Sequence, residues 1–214
     1  MKPIVFCDFD GTITAEETFV VMIKEFTPEL ADKLLPEMYA FRLTIREGVR
    51  QLMHSIPSKR YPEILEFMRY QPIRPGFVEL LDFLETQNIP LVIVSGGLLG
   101  MVKTILGNLE KRVYAIHAFD VDTSGEYLQV RSDFEYGPEL VAKIKVMELY
   151  QTPTQIAIGD SLTDLIMAMA AKIVFARDRL AQYLDERQKP YIIWQDFFDI
   201  KEKLEIKLKE LEEI

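Results

Sequence analysis

The chain has 214 residues, of which 49% are apolar and 28% charged, and its formal net charge is -9. These values are ordinary for a soluble globular protein, and the length allows one domain with a modest insertion. The negative charge and the lack of a long Lys/Arg cluster argue against nucleic acid or an anionic membrane as the main partner. The single cysteine, Cys7, excludes a disulfide framework and a thiolate metal site.

No apolar run reaches the roughly 18 residues that a membrane-spanning helix needs. The amino terminus leads directly into a predicted strand, without a basic and apolar leader. We therefore expect a soluble, cytoplasmic protein with no membrane partner.

The first predicted element is a short apolar run, residues 4–7, of the kind that forms a buried parallel strand. It ends on two carboxylates, Asp8 and Asp10, which Gly11 and Thr12 follow directly. In an open α/β sheet, functional side chains gather beyond the carboxyl ends of the strands. Because two nearby carboxylates repel each other, the pair predicts a bound cation. For an isolated pair of this kind, the alternative is a solvated acidic turn.

Residues 15–72 carry apolar side chains at helical spacing. Within them, Pro28, Pro57 and Pro62 each lie near the predicted start of a helix. We interpret the segment as a helical insertion into a core domain formed by residues 1–14 and 73–214. The alternative is that these helices belong to one common core.

A second buried strand is predicted for residues 90–94, after an amphipathic helix at residues 77–87. The strand ends in Ser95, Gly96 and Gly97. A hydroxyl group and open backbone amides at a strand-to-helix turn are suited to bind a phosphate group. Taken alone, such a sequence is usually only a loop.

The next segments predict a third strand at residues 112–118 and a hairpin at residues 119–131 that turns at residues 123–125. Residues 138–150 predict a helix that carries two lysines, Lys143 and Lys145. A lysine on a helix is by default a solvated side chain.

A fourth strand, residues 154–158, is followed by Asp160 and Asp164. Two acids four residues apart across the start of a helix share one face and can present oxygen to a hard cation. Asp160 could also cap that helix, which would not exclude a metal role. Residues 172–176 and 191–194 predict two further strands.

Residues 199–214 alternate lysine and glutamate around an apolar stripe, which predicts an amphipathic terminal helix. This helix either docks on its own domain or pairs with a second copy of the chain, as in a homodimer. The stripe consists of Ile200, Leu204, Leu208 and Leu211.

These motifs together resemble those of the haloacid dehalogenase superfamily, in the same order along the chain. Residues 8–12 resemble its motif I, residues 95–97 its motif II, Lys143 or Lys145 its motif III, and residues 159–164 its motif IV. The resemblance implies a doubly wound, mostly parallel α/β fold of the Rossmannoid type, with a small helical cap inserted after the first strand.

The resemblance also implies phosphomonoester hydrolysis in two steps. Asp8 would attack phosphorus to form an aspartyl-phosphate, and Asp10 would serve as general acid and base. An acid at position 10 indicates a phosphatase, because the dehalogenases of the superfamily lack it. The competing hypothesis from another class is a binding protein that has kept the fold without turnover.

Carried over to this chain, the family's ligand set predicts a Mg²⁺ site and a phosphate site. The Asp8 side chain, the Asp10 backbone carbonyl and Asp160 would bind Mg²⁺, while Asp164 would orient Asp160 or a water on the metal. We favour Lys143 over Lys145 as the phosphate lysine, although the family usually has this lysine nearer the start of its helix. The remaining phosphate-binding groups would be those of Ser95, Gly96 and Gly97.

The expected substrate is a small phosphorylated metabolite. Residues 43–49, 73–77, 175–178 and 195–198 resemble the methionine-salvage branch of the family, which implies 2-hydroxy-3-keto-5-methylthiopentenyl 1-phosphate. The alternative is a phosphoserine phosphatase-like enzyme, because Glu17 occupies the place where those enzymes carry an acid that meets the substrate amine. No arginine of the insertion can be assigned to the serine carboxylate, which weakens this alternative.

Overall fold

The computed structural model describes residues 2–212, with side chains as far as residue 210, and is built around a seven-stranded sheet in this range. The strand order is β4-β3-β2-β1-β5-β6-β7, and every neighbouring pair is parallel except β3 and β4. The strands are β1 (Ile4–Cys7), β2 (Leu91–Leu98), β3 (Ala115–Asp122), β4 (Gln129–Arg131), β5 (Gln155–Gly159), β6 (Ile173–Ala176) and β7 (Ile192–Ile193).

The described helices follow the alternation expected of an α/β protein, except that the first five of them separate the first two strands. None of the described helices has the length and apolar composition that crossing a bilayer would require. The helices are α1 (Thr18–Phe26), α2 (Pro28–Tyr39), α3 (Ile45–His54), α4 (Tyr61–Met68), α5 (Phe77–Gln87), α6 (Leu99–Leu106), α7 (Lys143–Met147), α8 (Leu165–Ala170), α9 (Asp178–Glu186) and α10 (Phe197–Glu212).

The first strand lies at the centre of the sheet because its side chains are apolar on both faces. Val5, Phe6 and Cys7 are fully buried, and β1 pairs in parallel with β2 on one side and β5 on the other. A strand buried on both faces reads as a continuous apolar run rather than an alternating one. The predicted doubly wound, mostly parallel sheet with a central first strand is therefore confirmed.

The insertion packs against the hairpin of β3 and β4. Two backbone hydrogen bonds join the two parts: Ser58 N to Glu126 O at 2.9 Å and Leu128 N to Ile56 O at 3.0 Å. A further bond, Arg46 N to Pro138 O at 3.0 Å, joins the insertion to the segment after the hairpin. The hairpin itself is antiparallel, as predicted. The division of the chain into a core domain and a separate cap domain stays a prediction.

Two predicted elements have the wrong bounds. The second strand, predicted for residues 90–94, is longer: β2 includes the Ser95, Gly96 and Gly97 that follow and continues to Leu98, where it pairs again with Phe119 after a register shift. The helix predicted for residues 138–150 is reduced to α7. The first residues of the predicted helix form other hydrogen bonds instead. Pro138 O accepts from Arg46 N of the insertion, and Ala142 N donates to Phe134 O at 2.9 Å.

The third and sixth predicted strands and the terminal helix differ from their predicted bounds by a few residues. The third strand begins at residue 115 rather than 112, because residues 107–112 close the preceding helix with a 3₁₀ turn. The predicted strand at residues 191–194 retains only β7, a two-residue edge strand. The terminal helix begins earlier than predicted, at Phe197, and the predicted residues 213–214 lie outside the described range.

The terminal helix docks on its own domain. The rings of Phe77 on α5 and Phe197 on α10 lie 5.0 Å apart, edge to face. Ile200 and Leu204 of the predicted apolar stripe are fully buried, and Leu208 packs partly against the core. The side chain of the fourth stripe residue, Leu211, lies outside the described side chains. A homodimer stays a prediction that this packing does not require.

Docking of α10 predicts that Gly76→Ala strongly destabilises the fold. Gly76 has φ +83°, and a Cβ there would lie 2.8 Å from the backbone carbon of Phe197. Gly107 also has a positive φ, +54°, but no atom lies within 4 Å of an added Cβ. We expect Gly107→Ala to lower the free energy of unfolding by about 1–3 kcal/mol through strain alone, and Gly76→Ala by roughly 2 kcal/mol more. Urea denaturation measures both, and equal losses would contradict the prediction.

Candidate active site

The chain makes a tight turn immediately after β1, and this turn positions the first two acids. Residues 9–13 form a wide turn whose backbone is not helical at Asp10 and Gly11, and the hydrogen bond from Thr14 N to Phe9 O closes it at 3.0 Å. Within it Gly11 has φ +79°, and a Cβ at Gly11 would lie 2.5 Å from Oδ2 of Asp160. Position 11 therefore requires glycine both for its backbone angle and for the close approach of the Asp160 carboxylate.

A buried lysine pairs with two acids that follow two different strands, β1 and β5. Lys143 forms ion pairs through Nζ with Oδ1 of Asp8 and, at 2.6 Å, with Oδ1 of Asp164. The side chains of all three residues are at most 5% exposed. The side chain of Lys145, in contrast, is 41% exposed and pairs with Glu148 at 2.9 Å. The structure thus brings Lys143 to Asp8 and leaves Lys145 on the surface.

The true start of α7 explains why Lys143 lies several residues inside the predicted helix. Because residues 138–142 are not helical, Lys143 is the first residue of α7. Burial alone lowers the pKa of its ammonium group, but the carboxylates of Asp164 and Asp8 outweigh this effect and raise the net pKa above its usual value. Lys143 is therefore a permanent buried cation.

The carboxyl group of Asp8 is only partly compensated by this cation. Burial and the nearby Asp164 raise the pKa of Asp8 well above its usual value, although Lys143 lowers it. Oδ2 of Asp8 is buried and has no hydrogen-bond partner among the described residues. A buried carboxylate oxygen without a partner is costly, so a second positive group is expected beside it.

A third acid, Asp160, lies close to Asp8 and Asp164. Asp160 accepts a hydrogen bond from Oγ1 of Thr12 at 3.2 Å. Asp8, Asp160 and Asp164 each offer a carboxylate oxygen, and these oxygens lie within 4.8 Å of one another. Burial and the charge of Asp164 raise the pKa of Asp160 to about 7. Oxygen ligands of this kind suit a hard divalent cation, so the residues fit the predicted Mg²⁺.

The carboxylate of Asp164 binds backbone amides of the loop that follows β5. Its Oδ2 accepts from the amides of Asp160 at 3.1 Å and Ser161 at 3.0 Å, while Oδ1 accepts from Lys143. Asp160 is not the helix cap that was its alternative role, because Ser161 is the residue before the helical turn. Asp164 therefore fixes the loop that carries Asp160, rather than contacting the Asp160 carboxylate.

Asp10 lies apart from this cluster and is held by the first helix of the insertion. Its Oδ1 accepts from the hydroxyl of Thr18 and, at 3.3 Å, from the amide of Phe19. Burial raises the pKa of Asp10, and these hydrogen bonds lower it in part. A Cβ on Gly97 would lie 2.6 Å from Oδ2 of Asp10, so the second motif packs directly on this acid.

The serine and glycines of the second motif lie in the last part of β2. Ser95 is fully buried, and its Oγ accepts from the amide of Gly97 at 2.9 Å. A hydroxyl that accepts one hydrogen bond still has a proton to donate. Gly96 is exposed, and no atom lies within 4 Å of an added Cβ. The segment thus offers a donor and open backbone at the same edge of the sheet as Asp8.

Glu17, like Asp10, lies outside the group formed by Asp8, Asp160, Asp164 and Lys143. It is exposed before α1 and accepts a hydrogen bond from the hydroxyl of Tyr39 at 3.3 Å. Two residues near the acids were missed from the sequence. Thr18 gave no signal beyond its place at a helix start, and Arg74 entered only as part of a resembling stretch.

Comparison with known proteins agrees with this arrangement. The family model described as "haloacid dehalogenase-like hydrolase" matches residues 5–169 of this chain. A 2-hydroxy-3-keto-5-methylthiopentenyl-1-phosphate phosphatase of Microcystis aeruginosa is 55% identical over 207 residues, which cover 95% of this chain and 98% of that protein. A protein of the same description from Geobacillus kaustophilus is 33% identical over 216 residues, covering 94% and 95% of the two chains.

Solved structures show the same fold at low sequence identity. A phosphoserine phosphatase with a phospho-aspartyl intermediate analogue has a TM-score of 0.68 at 20% identity, covering 96% of this chain and 98% of that one. Phosphoserine phosphatase from T. onnurineus has a TM-score of 0.73 at 16% identity, covering 94% of each chain. Since the family match spans most of the chain and all four motifs, this protein belongs to the haloacid dehalogenase-like hydrolases.

Proposed function

We propose that this protein is a Mg²⁺-dependent phosphomonoester hydrolase that forms an aspartyl-phosphate on Asp8. The observation that carries the proposal is the environment of the Asp8 carboxyl group. One oxygen is paired with Lys143, and the other is buried without a partner among the described residues, while carboxylate oxygens of Asp8 and Asp160 lie within 4.8 Å of each other. This is the arrangement expected of a nucleophile that shares its site with a cation and an anionic substrate.

The metal would be held by the Asp8 side chain, the Asp10 carbonyl and Asp160, with Asp164 steadying the loop of Asp160. Bound Mg²⁺ supplies positive charge that neutralises the acids and the phosphate oxygens. The support is the orphaned Oδ2 of Asp8 and the excess of acids over Lys143 in the buried cluster.

In the first step a carboxylate oxygen of Asp8 attacks phosphorus, and the bond from phosphorus to the leaving oxygen breaks. Asp10 gives its proton to that oxygen. The raised pKa of Asp10 suits this role, because a general acid must be protonated near the working pH. Lys143 holds the attacking carboxylate in place and offsets negative charge on the transferring group.

In the second step water attacks the phosphorus of the aspartyl-phosphate. Asp10, now ionised, accepts the proton of that water, and the bond between phosphorus and the Asp8 oxygen breaks. Inorganic phosphate leaves, Asp8 is again a carboxylate and Asp10 is again protonated. Ser95 and the backbone near Gly96 and Gly97 would donate hydrogen bonds to the phosphoryl oxygens in both steps.

For the substrate we propose 2-hydroxy-3-keto-5-methylthiopentenyl 1-phosphate. The relative at 55% identity over nearly the full length of both chains carries this name, which supports the proposal. The insertion also has apolar and soft side chains that suit a thioether tail. Five such side chains are candidates: Phe19 and Met38 are partly buried, Phe41 is exposed, and Met22 and Met53 are buried in the core.

The ion pairs of the insertion's arginines argue against phosphoserine as the substrate. A buried serine carboxylate would need a cationic partner. Most arginines of the insertion already pair with acids: Arg42 with Glu37, Arg50 with Glu135, Arg60 with Glu63 and Arg69 with Glu66. Arg46 is the one arginine of this segment without such an ion pair in the described part of the chain.

The first test is Asp8→Asn, which keeps the shape of the side chain but removes the nucleophile. We expect the wild type to hydrolyse para-nitrophenyl phosphate with Mg²⁺ and the variant to lose turnover by about a thousandfold or more. Mass spectrometry of acid-quenched protein should find a phosphorylated form of the wild type only. Asp32→Asn, at an exposed position, is the control. A wild type inactive across metals and pH would favour a binding protein, and an active Asp8→Asn would exclude Asp8 as nucleophile.

A second test compares the two lysines. Lys143→Ala should lower kcat about a hundredfold or more, because it removes a preorganised positive charge, and Lys145→Ala should change it little. Lys143→Ala should also lower the free energy of unfolding by about 3–5 kcal/mol in metal-free buffer, since two buried carboxylates lose their partner. Both values come from parallel kinetics and urea titrations. The reverse ranking would contradict the assignment of Lys143.

The third test concerns the substrate. We expect kcat/KM on the enediol phosphate to exceed that on phosphoserine by about a hundredfold, because the pocket would leave the serine charges unpaired. Arg46→Ala and its control Arg42→Ala should leave activity on the enediol phosphate unchanged. Equal or greater efficiency on phosphoserine, lost selectively in Arg46→Ala, would instead indicate an amino-acid phosphatase.

A further inference from the structure

Three segments far apart in sequence meet behind the acidic turn, at a tryptophan that is 2% exposed. The guanidinium carbons of Arg74 and Arg177 lie 5.3 Å and 5.0 Å from the centre of the Trp194 ring. We call these three residues the Trp194 cluster. Arg177 is also bound to the backbone beside the tryptophan, since its Nη1 donates to Gln195 O at 3.0 Å. The cluster is thus a fixed unit of packed charge and aromatic surface.

Arg74 directs its donors at the turn after β1. Its Nε donates to Thr12 O at 2.9 Å, and its Nη2 donates to Gly11 O at 2.7 Å and to Thr14 O at 3.4 Å. The amide of Arg74 donates to Ile13 O at 2.8 Å. Because the C=O and N–H of a trans peptide point in opposite directions, these bonds also fix where the amides of the turn point.

The other side of the cluster holds the loop that carries Asp160. Trp194 donates from Nε1 to Gly159 O at 3.4 Å, and Leu180, three residues after Arg177, donates from its amide to Asp160 O at 2.9 Å. The carbonyls on both sides of the Asp160 peptide link are therefore bound from behind. The same cluster contacts both halves of the proposed metal site.

We propose that Arg74 is a positioning residue for the metal site, and that together with Trp194 it sets the separation between the turn of Asp8 and Asp10 and the loop of Asp160. The proposal rests on the Mg²⁺ site of the proposed function. The two halves meet closely, since Thr12 Oγ1 donates to Asp160 and Gly11 leaves room only for hydrogen at the Asp160 carboxylate. A small displacement of the turn would therefore move it against that carboxylate.

A guanidinium group suits this task and an ammonium group does not. The planar fork of Arg74 reaches two successive carbonyls of the turn while its face lies on Trp194. Lysine keeps the charge, but it presents a single nitrogen and cannot reproduce both contacts. The side chain of Arg74 donates its hydrogen bonds to backbone carbonyls, so Arg74 acts on the site through the geometry of the turn.

The test is Arg74→Lys, with Mg²⁺ binding measured by calorimetry on the substrate-free protein. We expect the Kd for Mg²⁺ to rise about tenfold, as is usual when a group that orients metal ligands is lost. At saturating Mg²⁺ the KM for para-nitrophenyl phosphate should change little, while kcat falls. Trp194→Phe keeps an aromatic ring but loses the donor to Gly159 O, and it should raise the Kd by a smaller factor.

Arg112→Lys is the matched control. Arg112 forms a comparable fork with Glu85 and Asp82, on the surface. We expect this variant to lose some thermal stability and to bind Mg²⁺ like the wild type. If Arg112→Lys weakens Mg²⁺ binding as much as Arg74→Lys, the effect is one of general stability and the proposal is wrong.

The outcomes separate this inference from the proposed function. A wild type that binds no Mg²⁺ contradicts the proposed function itself. Wild-type Mg²⁺ affinity in both Arg74→Lys and Trp194→Phe contradicts only the role of the Trp194 cluster. If Arg74→Lys does not fold, Trp194→Phe decides: weaker Mg²⁺ binding supports the proposal and unchanged binding overturns it.

Discussion

The site depends on a lysine that is buried between two carboxylates. Taking Lys143 out of water is costly, and only its ion pairs with Asp8 and Asp164 offset that cost. Because Asp8 follows β1, Asp164 follows β5 and Lys143 opens α7, the three side chains fasten three separate segments to one point. The carboxyl ends of the two central strands are thereby fixed relative to each other, and the remaining groups of the site are placed from there.

The two acids of the first motif have different environments, which is how one short segment can supply two chemical roles. Asp8 faces a cation and the other acids, whereas Asp10 faces the start of α1, where Thr18 and the amide of Phe19 bind it. The turn at Gly11 separates them. A carboxylate held beside a cation is suited to attack, and one held by neutral donors in a buried place is suited to carry a proton.

The insertion is coupled to this chemistry at both of its ends. Its first helix holds Asp10, and its later part is bonded to the hairpin of β3 and β4 through Ile56 and Ser58. Arg46 is bonded to Pro138, in the segment between that hairpin and Lys143. The insertion therefore connects the surroundings of Asp10 with those of Lys143. The chain returns from the insertion at Arg74, which binds the same turn from behind.

The sequence alone determined the sheet, the central first strand and the acids of the site, because buried strands are local apolar runs and their carboxyl ends meet at one edge. It did not decide between Lys143 and Lys145, since the choice depends on where α7 begins. Residues 138–142 have helical character locally, but bonds to α3 and to Phe134 hold them in another conformation. The role of Arg74 was equally hidden, because its partners lie about sixty residues earlier and 120 residues later in the chain. Contacts between distant segments leave no local pattern, so only the tertiary structure could decide them.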